Sequence, residues 1–442
     1  MKKFILSLVL LFSIFSLAYT QTAEEYNLQG IETGKLGNYK EAINLYTKAI
    51  SVDPNFADAY CNRGIAYYNL QNYSNAMLDF TQAIAINPNS ANAYYNRGVT
   101  YKIGYHDYPK AILDYNRAIE IKPNDAEIYN NRGNAFYNEK DYTKAVSDFT
   151  KAIEINPNDT MAYYNRGLAY YYIQDYTKAI SDYNKVISIK PNDADAFYNR
   201  GNVYDKLQND SIAISDYTKA IEINPKFAEA NYKRGLSYFE LKDYSTAISD
   251  FNIAIEINPD YAEAYINRGN VYTELQNYTK AISDFNKAIE INPNLAEAYY
   301  NSGHAYYDMH DYAKAISDYT VAIEINPIYE EAYINRGLTY YDLQDYSKAI
   351  SDFTKSIEIN PNFAGSYYNR GVAFDNLKDY SKAISDYTKA IEINPNFTDA
   401  FYNRGRVYAE GLKVYSNACE DLSKAYSLGK TEAKDLMDIY CK

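Results

Sequence analysis

Apolar and small residues recur along this chain in two alternating helical registers. In residues 57–90, Tyr60, Gly64 and Tyr67 fall at i, i+4 and i+7, one face of a helix. Ala76, Phe80 and Ala83 repeat that spacing in the second half of the segment. Between the two runs, Asn72-Tyr73-Ser74 supplies a turn and a cap for the second helix. Asn87-Pro88-Asn89 then ends it, because the residue before a proline is pushed out of the helical region. Gly64 and Ala76 are small where two antiparallel helices must approach, and the aromatic residues fill the space on either side.

The same pattern returns with a fixed period. Prolines stand at 54, 88, 123, 157, 191, 225, 259, 293, 327, 361 and 395, every gap being 34 except one of 35. Glycines keep the beat from Gly30, Gly64 and Gly98 through Gly133, Gly167 and Gly201 to Gly371 and Gly405. Residues 23–431 therefore read as twelve helix-turn-helix repeats, the last without its proline. Two repeats carry one extra residue in the turn, around Gly104–Pro109 and near Gly411. Residues 432–442 are expected to form a polar capping helix, which a linear array needs at its end.

These residues resemble the tetratricopeptide repeat. Residues 262–295 carry its pattern at Tyr265, Gly269, Tyr272, Ala281, Phe285, Ala288 and Pro293. One departure is consistent: arginine replaces the usual leucine before the glycine, as in Asn267-Arg268-Gly269. The resemblance implies an all-α fold, a right-handed superhelical solenoid with a concave groove lined by the first helix of each pair. It implies binding of a protein or an extended peptide segment.

The first 20 residues stand apart. Lys2 and Lys3 precede an uncharged apolar run from Phe4 to Leu17, and Ser16-Leu17-Ala18 offers small residues for cleavage. That is the pattern of a secretory signal peptide, cut near Ala18 or Thr20. The run is too short for the ~20 residues of a spanning helix, so no membrane insertion is expected after cleavage. The composition and the leader together suggest a bacterial envelope protein, periplasmic or secreted.

Charge narrows the partner class. Lys+Arg is 44 against Asp+Glu 57, a net charge of -13, which argues against binding a nucleic-acid backbone. The three histidines are too few and too scattered for a metal site. No nucleophile stands beside a base, and no glycine-rich phosphate loop precedes a helix, so neither catalysis nor a cofactor is expected.

Two columns of side chains are candidates for binding. Stepping about 100° per residue around the first helix puts the residue two before each glycine opposite the partner helix. That position is Asn62, Asn96, Asn131, Asn165, Asn199, Asn267, Asn301, Asn335, Asn369 and Asn403, interrupted by Leu28 and Lys233. A primary amide both donates and accepts, so a column of them can hold a peptide by its backbone. An asparagine ladder at this repeat position serves that purpose within the family the chain resembles. The alternative is a solvated polar face. Beside it runs a tyrosine column, Tyr95, Tyr164, Tyr198, Tyr232, Tyr300, Tyr368 and Tyr402, with Cys61, Ile266 and Ile334 at the same position elsewhere. Tyrosine is a rigid contact surface, or it packs against the neighbouring repeat. Exposed tyrosine faces and amides also leave room for a glycan binder, and an unoccupied groove for a structural spacer.

An arginine before ten of the glycines and an aspartate recurring in the second helices point to ion pairs that tie helices or neighbouring repeats together. The first repeat has Gln29 and Leu45 instead. Finally, Cys419 and Cys441 lie on helices that fold back about a turn at 428–430, so a disulfide between them is expected, with Cys61 left as a thiol.

Overall fold

The computed structural model describes residues 21–441. The expected signal peptide lies outside them. The described residues form 25 α-helices. The chain divides into two compact units, Met1–Ile223 and Asn224–Lys442. Within each unit, consecutive helices pair as antiparallel hairpins and the hairpins stack one on the next. Unit one contains six pairs, from Ala23–Lys35 with Tyr39–Val52 to Ala194–Lys206 with Asp210–Ile223. Unit two contains six more, from Ala228–Glu240 with Tyr244–Ile257 to Thr398–Arg406 with Tyr415–Ser427, followed by the end helix Ala433–Tyr440.

One repeat explains the rest. The first helix Ala57–Asn69 stops because Gln71 adopts φ 58°, and two backbone bonds close the end: Gln71 N to Tyr68 O at 2.8 Å and Asn72 N to Tyr67 O at 2.9 Å. That is the Schellman arrangement, which satisfies carbonyls the helix leaves unpaired. Asn72 then caps the second helix, its side chain accepting from Asn75 N. Aspartate does this in most other repeats, as Asp175 does from Lys178 N at 3.2 Å. The second helix ends at Ile86, before Asn87-Pro88.

The two helices meet over the glycine. A Cβ on Gly269 would lie 2.6 Å from the Phe285 ring, so only glycine lets that ring seat. Phe80, Tyr115, Phe149, Tyr183 and Tyr217 fill the equivalent place in unit one and are essentially inaccessible to solvent. Alanines 76, 83, 281 and 288 are fully buried beside them. Within each unit the core is thus a series of small clusters, shared between neighbouring hairpins.

The inserted residues are absorbed locally. Gly104 extends its first helix against the ring of Tyr73 from the preceding repeat, and Gly411 does the same against Tyr380. In the last repeat the first helix widens into a π-helical turn over Val407–Leu412, closed by Lys413 at φ 59°.

Candidate functional site

An arginine comb joins the helices. Arg97 holds Asp114 of its own second helix by two hydrogen bonds, Nε to Oδ2 and Nη2 to Oδ1, both 2.8 Å. Its remaining amino group donates to Thr81 Oγ1 of the preceding repeat at 3.3 Å. Its hydrogen bonds to Asp114 push the Arg97 pKa upward, which keeps the guanidinium charged. Arg132, Arg166, Arg200, Arg268, Arg336 and Arg404 make the same three contacts, the third falling on threonine or asparagine. The guanidinium also lies over the aromatic ring three residues earlier, as Arg268 does over Tyr265 at 5.4 Å. The expected ion pair is therefore formed within the repeat, and the link to the neighbour is a separate, neutral acceptor. Asp421 completes the set in the last repeat, paired with Arg404.

The asparagine and tyrosine columns are bonded to each other. Asn131 Nδ2 donates to Tyr95 Oη at 3.0 Å, and Asn199 Nδ2 to Tyr164 Oη at 2.9 Å. In unit two, Asn267 donates to Tyr232, Asn335 to Tyr300 and Asn403 to Tyr368, at 2.8–3.0 Å. Each bond runs from one repeat to the tyrosine of the repeat before it. Where that position is itself asparagine, its carbonyl accepts instead: Asn62 donates to Asn27 and Asn165 to Asn130. Asn301, whose predecessor is Ile266, turns to Asn270. Asn96, behind Cys61, folds back to Asn92 O. Asn369, behind Ile334, lines a small hollow with Tyr341, Tyr368 and Val372.

The second amide hydrogen is also used in several repeats. Asn131, Asn199 and Asn267 each donate to the carbonyl four residues earlier, Glu127, Asp195 and Glu263. These amides are half-buried, not free on a solvated face. The helical wheel treats one helix alone, whereas the stacking of the next repeat brings a hydroxyl against the amide. What each such amide retains is its carbonyl oxygen. In Asn131 even that accepts, from Lys102 Nζ at 2.6 Å.

The tyrosine rings are half-buried. Tyr95, Tyr198, Tyr300 and Tyr368 lie 5.9–6.0 Å from the buried ring of their own second helix. Tyr164 sits edge-on to Tyr183, and Tyr232 packs between Phe251 and Tyr261. Burial pushes the Tyr164 phenol up to about 12, so it remains a neutral hydroxyl. Tyr402, the last of the column, lies under Lys430 Nζ at 5.4 Å.

Cys419 and Cys441 are joined by a disulfide, with Cα atoms 5.6 Å apart. Cys61 is buried, and burial raises its thiol to about 12, which makes it a poor nucleophile. Among the described residues no three His, Cys, Asp or Glu side chains gather in a way that could hold a metal ion. His304 approaches Asp308, at 3.6 Å. Among the same residues no helix is long and apolar enough to cross a membrane.

The chain matches three family profiles, described as TPR repeat and, twice, as tetratricopeptide repeat. The first matches residues 35–71, 107–140, 167–208, 235–276 and 269–310. The second matches 57–90, 126–159, 194–227, 296–329, 330–363 and 364–397, and the third matches 80–112, 149–181 and 216–249. Together they run without a gap from residue 35 to residue 397. No curated protein matches the chain at a significant level. Among solved structures it is similar to YrrB, described as a TPR protein with an unusual peptide-binding site. That match has 29% identity over 42% of this chain and 95% of that one, with a TM-score of 0.36. It is similar to MamA at 29% identity, over 38% and 92% of the two chains, with a TM-score of 0.36. The C-terminal part of a TPR repeat-containing protein from Cytophaga hutchinsonii matches at 25% identity over 53% and 96%, with a TM-score of 0.46. On the repeat matches across both units and the paired helices that carry them, the chain belongs to the tetratricopeptide-repeat family.

Proposed function

We propose that this protein is an exported scaffold that holds an extended peptide along the face built by its first helices. The observation that carries this reading is the fixed orientation of the asparagine amides. Tyr164 and Tyr232 take one amide hydrogen from Asn199 and Asn267, whose other hydrogen goes to the carbonyl four residues earlier, so the amide oxygen is left available; Tyr300 and Tyr368 orient Asn335 and Asn403 by the same bond. A row of fixed acceptors suits the N–H groups of a strand-like backbone and is indifferent to its side chains. Preorganisation lowers the ordering cost of binding. The apolar hollow beside Asn369, lined by Leu338, Tyr341 and Val372, suits a side chain of such a peptide.

The tyrosine faces support this reading over a glycan binder. Their rings are packed against aromatic rings of the second helices and offer little open face for a sugar. Export rests on the basic, apolar and small-residue order of residues 1–20.

Selection from a random peptide display library, followed by backbone N-methylation of the best binder, tests the mechanism. Methylating alternate amides should abolish binding in one register while scrambled side chains are tolerated. Binding that survives methylation in both registers would overturn the acceptor row.

A further inference from the structure

The arginine comb has one gap. In the repeat of residues 296–329, Ser302 stands where ten other repeats place arginine. The first repeat lacks the arginine too, but there the partner aspartate is also gone, replaced by Leu45. The repeat of Ser302 keeps everything else that surrounds the guanidinium elsewhere. It has the carboxylate, Asp318; the ring three residues before the arginine position, Tyr299; and the neutral acceptor of the preceding repeat, Asn286.

The flanking repeats of the same unit show what these groups are built to hold. Arg268 makes two bonds to Asp284, at 2.8 and 2.6 Å, and one to Asn252 Oδ1 at 2.6 Å. Arg336 makes two to Asp352, at 2.8 and 2.7 Å, and one to Thr320 at 2.9 Å. Around Ser302 only one of these contacts is replaced: its hydroxyl donates to Asp318 Oδ2 at 2.7 Å. Among the described residues Asp318 Oδ1 and the Asn286 amide have no hydrogen-bond partner. Nor does a lysine substitute: Lys314 Nζ is bound to Asp311 at 2.8 Å and lies over Tyr306.

Removing the arginine side chain also opens the carboxylate. The paired aspartates are 2–6% exposed, whereas Asp318 is only half-buried. It lies on the second helix Tyr312–Ile325, whereas the asparagines of the peptide face lie on the first helices. Burial raises its carboxyl pKa above the usual range, as it does for the paired Asp148 and Asp182, while the Lys314 charge pulls it back.

We propose that this repeat carries a recognition site for a guanidinium group, supplied by an arginine side chain of a partner protein. The planar fork would meet Asp318 in the bidentate manner of the comb, with Asn286 as third acceptor and the Tyr299 ring beneath. A lysine ammonium, a single point of charge, cannot satisfy that set. The site is independent of the peptide face, so either can fail without the other.

Calorimetric titration of the full mature chain with Nα-acetyl-L-arginine amide tests it, with Nα-acetyl-L-lysine amide as the control. Saturable binding of the arginine compound is expected, with the lysine compound at least tenfold weaker. Asp318→Asn should weaken arginine binding at least tenfold. Ser302→Arg should do the same while raising Tm, because the grafted guanidinium takes the site. The two variants act on opposite halves of the site, so one suffices if the other fails to fold. No saturable binding, equal binding of the lysine compound, or arginine binding retained in the folded variants would overturn the proposal.

Discussion

At the scale of single residues, the hydrogen bond between Asn267 and Tyr232 has two consequences. It orients an acceptor, and it joins one repeat to the next. Asn267→Ala should therefore lower stability by about 1 kcal/mol, the net worth of a typical hydrogen bond, where a purely solvated asparagine would cost nothing measurable. Tyr232→Phe should lose a similar amount, and the double variant less than the sum, because each removes the bond the two side chains share. Urea denaturation of the three variants checks this; additive losses would mean that the two side chains act separately. The two columns were legible in the sequence as periodic positions, but their pairing was not. A wheel drawn for one helix contains no neighbour. The signal that was available is the spacing: tyrosine and asparagine recur 35 residues apart, or 36 across the inserted residue, wherever the bond forms. The arginine comb was half legible for the same reason. Its aspartate lies on the same hairpin, while its third acceptor lies 16 residues back on the previous one.

At the scale of the element, the hairpin turn carries a correctable strain. Gln276, like Gln174, Lys242 and Lys378, sits at φ near +60° to end the first helix. The left-handed region costs a side-chain-bearing residue roughly 1–2 kcal/mol, and glycine nothing. The first repeat already uses Gly37 there, at φ 81°. Gln276→Gly should raise stability by about 0.5–1 kcal/mol after the entropy of glycine in the unfolded chain is deducted, read as a rise in Tm. A fall would show that the glutamine makes a contact worth more than the strain. The following cap responds to acid. The Lys348 side chain and backbone N–H hold the Asp345 carboxyl below its ordinary value. A depressed folded pKa contributes stability that is present above the unfolded value near pH 4 and is lost as pH falls through the folded one. Asp345→Asn should therefore flatten the dependence of Tm on pH below about 4 and leave its slope near neutrality unchanged. The hairpins themselves were the most legible feature of the chain. Cap, turn and stop are each specified by one or two residue types and repeated, so local and packing signals agree. The π-helical widening at Val407–Leu412 was visible only as an extra residue, since nothing in the composition says where a helix will absorb it.

At the scale of the whole molecule, stability is a sum over repeats and their interfaces, so the ends are where it fails first. The bond between Cys419 and Cys441 closes a loop at one end, across a sequence separation of 22. In the chain-entropy model such a closure stabilises by roughly 3 kcal/mol. Protein purified from its native compartment should show one thiol under denaturing, non-reducing conditions, that of Cys61. Reduction should expose the last helices to hydrogen exchange before the interior repeats. Three thiols in the untreated protein would contradict both the bond and the export on which it depends. The central claim is the acceptor row along the first helices. Its most direct test is the affinity of a display-selected peptide for the chain and for the triple variant Asn267→Ala, Asn335→Ala, Asn403→Ala. Circular dichroism and hydrodynamic measurements would establish that the variant is folded. The account predicts affinity at least tenfold lower in the folded variant, since three backbone contacts of about 0.5–1.5 kcal/mol each are removed. Affinity within twofold of the parent chain would contradict it.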